Sequence, residues 1–126
     1  MGRTLNVSDQ FIGRYSLKNQ EYGFDLNILE TENSDKPNED FFEGVFKDDF
    51  GYAVASGSMD AQSVYFSIKY SDRATSMGAP GETLQYSGQS KIPGIFKGTY
   101  NEKETDTTNK PLGTFSMTRP SMTKID

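Results

Sequence analysis

Apolar and polar residues alternate with a period of two along most of the chain, in short runs separated by turn-forming residues, while helical periodicity is nearly absent. The pattern predicts an all-β protein. A first strand over 11–17 puts Phe11, Gly13, Tyr15 and Leu17 on one face, and a second over 22–29 does the same with Tyr22, Phe24, Leu26 and Ile28. The polar connection at 18–21 suits a hairpin. After a polar loop at 31–40, a strand over 41–47 aligns Phe42, Gly44 and Phe46, and the turn Asp48-Asp49-Phe50-Gly51 returns the chain into a strand over 52–57. The clearest strand follows, with Val64, Phe66, Ile68 and Tyr70 on one face and Tyr65, Ser67, Lys69 and Ser71 on the other. A loop at 72–81 containing Gly78, Pro80 and Gly81 reads as a flexible hinge or lid, and strands at 83–88, 94–100 and 113–117 complete the set.

Eight strands with short connections and no crossover helix describe an antiparallel meander, which hides its two edges by closing on itself. The predicted architecture is a single domain over 1–126, an eight-stranded up-and-down barrel spanning about 11–118, with an eight-stranded β-sandwich as the alternative. Glycine and an aromatic residue repeatedly share a face: Gly13 with Tyr15, Gly44 with Phe46, Tyr86 with Gly88, Gly94 with Phe96, Gly98 and Tyr100, and Gly113 with Phe115. Glycine weakens a strand, so its repetition implies that bulk must be absent there, for tight curvature or for a ring reaching over from the next strand.

The opening Gly13-Arg14-Tyr15 resembles the Gly-x-Trp start of the calycin superfamily, the avidins, lipocalins and fatty-acid-binding proteins, and the resemblance in strand count and order covers about 8–118. It implies a closed ligand-holding barrel and, through the avidin-like length, association by outer faces. The motif's Trp is Tyr15 here and the chain has no Trp, so the indole walls of a biotin site are missing. The run from Phe42 to Phe96 is also similar to small uncharacterised β-barrel proteins, which implies a fold and no activity.

Composition sharpens the picture at three points. The 9 Phe and 7 Tyr equal Ile, Leu and Val combined, so rings supply half of the large apolar bulk. With no Cys and no His, thiol chemistry, disulfides, zinc fingers and His-based triads are excluded. Net charge is −5, and residues 30–49 alone carry eight acids against two lysines, leaving the remainder near neutral. No basic stripe exists for a nucleic-acid backbone, and the acidic run lacks the ligand spacing of an EF-hand, so neither nucleic acid nor a metal is expected. No apolar run is long enough to span a membrane and no secretory signal is visible, from which a cytoplasmic, soluble protein without membrane association is expected. Asn6-Val7-Ser8 is formally a glycosylation sequon.

The candidate ligand-binding residues are Tyr15, Phe66, Tyr70, Tyr86, Phe96 and Tyr100, whose rings and hydroxyls together would suit a small hydrophobic or aromatic molecule at an open barrel end. Their alternative role is a self-filled core whose hydroxyls bond to backbone or water at the rim. Lys69, Asp25 and Glu43 fall on the outer face, so no activated amine or carboxylate pair is expected, and no phosphate-binding loop occurs. The expected function is non-enzymatic binding inside the barrel, with no cofactor. The alternatives are an interaction module that forms homo-oligomers through Tyr65, Ile95 and Val45, and, third, an isomerase or cyclase enclosing an apolar substrate.

Overall fold

The computed structural model describes residues 9–36, 39–102 and 111–119. The sequon at Asn6 lies outside the described residues. Eight strands run in chain order: β1 (Gln10–Leu17), β2 (Gln20–Asn33), β3 (Asp40–Asp48), β4 (Gly51–Met59), β5 (Ser63–Tyr70), β6 (Thr83–Ile92), β7 (Ile95–Glu102) and β8 (Gly113–Thr118). Each pairs antiparallel with its neighbours, and β1 pairs with β8 from Ile12 opposite Thr118 to Tyr15 opposite Phe115, so the sheet closes into an up-and-down barrel. That seam excludes the sandwich.

The expected inner faces are the buried ones. Phe11, Gly13 and Tyr15, then Phe24, Leu26 and Ile28, then Phe42, Gly44 and Phe46 are all buried, and Val64, Phe66, Ile68 and Tyr70 continue the lining. Strand β2 outruns its expected end because a bulge between Ile28 and Glu30 absorbs the break in alternation and lets pairing with β3 continue to Asn33 opposite Asp40. The first hairpin uses a two-residue turn, with Lys18 and Asn19 both at positive φ (52° and 70°), the left-handed pair that matches strand twist.

Two local expectations change. Gly94 is not an inner-face glycine of β7: it sits in the turn between Ile92 and Ile95 with φ of 86°, where it supplies a backbone angle rather than space. The segment expected to be a flexible loop holds a short helix, α1 (Asp72–Ser76), whose first turn is capped by Ser71 Oγ accepting from Ala74 N at 3.1 Å. Ala74 on α1 is fully buried against Gly51, where a Cβ would stand 3.0 Å from the Ala74 Cβ, and Ala79 returns its N–H to the Ala74 carbonyl. With Phe50 and Tyr22, α1 therefore covers the barrel end at which β3 turns into β4.

No helix among the described residues is long and apolar enough to cross a membrane.

Candidate functional site

Register stacks the interior rings. Phe66, Tyr86 and Tyr100 lie directly opposite one another on β5, β6 and β7, and their rings stack in sequence at 4.9 Å and 4.9 Å with interplanar angles of 3° and 12°. Phe115 meets Tyr86 edge-on at 5.0 Å, and Phe24 stacks on Phe46 at 4.6 Å. Such pairs add about 0.5–1.5 kcal/mol each beyond the area they bury. The inner glycines explain how the rings fit: a Cβ at Gly13 would stand 2.5 Å from Phe24 Cζ, and one at Gly88 2.9 Å from Phe115 Cζ. At Gly98 the constraint is the backbone itself, since a Cβ would approach the Ser87 carbonyl oxygen to 1.9 Å.

The six nominated residues are all buried, and they divide by depth. Phe66 and Tyr86 occupy the middle of the barrel, and Tyr15, Tyr70 and Tyr100 lie at the end covered by α1. Phe96 is set apart; among the described residues its ring partner is Phe11, edge-on at 6.4 Å.

Polar order at the covered end centres on Asp48, which sequence reasoning assigned to a turn. Tyr15 and Tyr70 both donate to its Oδ2, at 2.8 Å and 2.5 Å, while the Phe50 and Gly51 N–H groups donate to Oδ1 at 2.9 Å and 3.3 Å. Strand parity carried the signal: Asp48 continues the inward series Phe42, Gly44, Phe46, and Asp40 begins it, so that these two carboxylates, both buried, lie at opposite ends of β3. Tyr100 donates instead to the Ser16 carbonyl at 2.6 Å. Burial, and then the adjoining Asp48 carboxylate, hold the Tyr15 phenol far above its ordinary range. Tyr70 is raised likewise, by burial first and then by Tyr86 and Asp48, and Tyr100, chiefly through burial, is pushed up to about 12. The exception among these hydroxyls is that of Tyr86, fully buried and, among the described residues, without a hydrogen-bond partner. Burial and the nearby Tyr100, Tyr15 and Asp48 raise its pKa as well.

The outer wall is uneven. Lys69 is exposed there, across from Val54 and Thr83, and Lys47 lies over the Tyr52 ring at 5.5 Å. Val45, opposite Val54, and Ile95 are partly buried, whereas Tyr65, Tyr52 and Val54 are exposed. A groove of about 450 Å³ runs over the outside of β2–β5 between the rings of Phe41 and Tyr65. Among the described residues no group of acidic side chains is arranged to hold a metal ion.

Fold and interior together define a class, the small closed antiparallel barrel with a ring-packed interior. Comparison with protein-family models, with curated proteins and with solved structures found no match to the chain.

Proposed function

We propose that this chain is a non-enzymatic, calycin-like interaction module whose barrel interior is filled by its own side chains and whose outer wall does the binding. The observation that supports the reading is the continuous stack of Phe66, Tyr86 and Tyr100 with Phe115 set edge-on against it, rings in contact with one another across the interior. Large apolar side chains left in solvent, among them Phe41, Tyr52, Val54 and Tyr65, lie on the outer wall of β3–β5. A second copy of the chain could use the same wall, through the Val45 and Val54 pair.

A second reading places a small hydrophobic or aromatic molecule inside, among Tyr15, Phe66, Tyr70, Tyr86 and Tyr100. It is favoured by one observation, the unpartnered Tyr86 hydroxyl, because a buried donor without a partner costs about 1–3 kcal/mol that a ligand or an ordered water would recover. Backbone amide NMR with a panel of small aromatic compounds separates the two. A self-filled barrel leaves the amides of Phe66, Tyr86 and Tyr100 unmoved, and saturable shifts there with any member of the panel would overturn the proposal in favour of interior binding.

A further inference from the structure

Phe41 and Tyr65, two large aromatic side chains of the outer wall, are each about half exposed, at 49%. Both are register partners of Ser58, one from either side of β4, so two strand spacings, roughly 9–10 Å, separate their backbones. Ser58 and Gly57 make the floor between them. The β4 residue in that row is Ser58, whose side chain is short, so the spacing of the two strands that carry the rings suits a single chain of methylenes or a flat guanidinium with a ring on each side.

Three carboxylates border this cleft. Glu32 lies directly opposite Phe41, and Glu30 lies directly opposite Glu43 one row away. Like charges facing each other across a ladder destabilise it. Among the described residues none of the three has an ion pair, and the outward lysines of this wall, Lys47 and Lys69, stand rows away beside Tyr52 and Val54. The cleft thus offers two ring faces and uncompensated negative charge, the combination that attracts an organic cation. A second copy of the chain would bring the same three acids against these, so charge disfavours self-association at this place.

Resting on the reading of the outer wall as the working surface, we infer that the Phe41/Tyr65 cleft docks a basic peptide segment of a partner protein, with one arginine or lysine side chain between the rings and its neighbours facing Glu30, Glu32 and Glu43. An extended segment presents alternate side chains to one face, so basic residues at every second position match the cleft and its rim.

The test uses the full chain and a short fluorescein-labelled peptide alternating arginine with serine, followed by anisotropy, with a glutamate–serine peptide as control. Saturable binding is expected for the basic peptide alone, weakened about fivefold by Tyr65→Ala or Phe41→Ala and about threefold for each charge removed by Glu30→Gln or Glu43→Gln. The two glutamine variants relieve a like-charge pair and keep or raise the urea midpoint, so their loss of binding is not loss of fold. Absence of saturable binding overturns the inference, as does binding that Tyr65→Ala leaves unchanged, which would reduce the effect to diffuse charge. Displacement by free arginine amide at the concentration at which unlabelled peptide competes overturns the peptide assignment in favour of a small cation, and a dimer dissociated by Glu43→Lys overturns it in favour of a second copy. A peptide that fails while the interior amides stay silent in the aromatic panel removes this partner and leaves the filled-barrel reading standing.

Discussion

Tyr86 and Tyr70 present the same phenol to the same barrel interior with opposite consequences. Tyr70 donates to Asp48 Oδ2, a charge-assisted bond in a buried site, so Tyr70→Phe is expected to lower stability by about 1.5–3 kcal/mol. Among the described residues Tyr86 has no acceptor, so Tyr86→Phe keeps the ring stack and removes only an unsatisfied group; it is expected to be neutral or to raise stability by about 1 kcal/mol. Urea denaturation of the two variants checks the contrast, and a loss for Tyr86→Phe as large as that for Tyr70→Phe would mean that a buried water or ligand partners the hydroxyl. Asp48→Ala leaves two hydroxyls and two backbone N–H groups without their acceptor and is expected to cost about 3 kcal/mol or more.

Strands here are shaped by where side chains are missing. In β1, Gly13 sits opposite Phe24 on one side and Met117 on the other, and any Cβ meets the Phe24 ring and the Ser116 carbonyl oxygen at 2.4 Å. Gly13→Ala is therefore expected to destabilise by about 1–3 kcal/mol, as overpacking does, and to loosen the β1–β8 seam, read as faster amide hydrogen exchange at Tyr15 and Phe115. The first hairpin carries the reverse opportunity. Lys18 and Asn19 hold left-handed angles that cost a residue with a Cβ about 1 kcal/mol, so replacing the pair by Asn-Gly is expected to raise the urea midpoint.

The molecule as a whole stores its polar order as neutral tyrosine. Tyr15, Tyr70, Tyr86 and Tyr100 all have folded-state pKa values above the unfolded value of about 10. A raised tyrosine pKa means the folded state keeps protons that the unfolded state releases, so this contribution is complete below pH 10 or so and declines as pH rises through the range from about 10 to Tyr100's value of about 12. Stability should fall steeply above about pH 10, and tyrosinate absorbance should show Tyr15, Tyr70, Tyr86 and Tyr100 ionising only with unfolding. Ionisation of these four without loss of circular dichroism would contradict a closed, ring-packed interior.

Short connections determined the antiparallel order, and period-two alternation determined the strands and their inner faces, because a buried face admits one parity only: Phe11, Phe46, Phe66 and Tyr86 were assignable from sequence for that reason. The Gly-aromatic pairing was equally legible, since a missing side chain beside a ring has few other causes, although Gly94 showed that a turn's backbone angle is one of them. What the tertiary structure alone decided depends on contacts between residues distant along the chain. Closure was expected of the meander, but its seam, with Ile12 opposite Thr118 and Tyr15 opposite Phe115, and with it the choice of barrel over sandwich, needed β1 to find β8. The joining of Tyr15 and Tyr70 on Asp48 bridges 33 and 22 positions, and the pairing of Phe41 with Tyr65 around Ser58 arises only when three strands lie in register. Alternation says which way a side chain points, and only the closed barrel says what it meets.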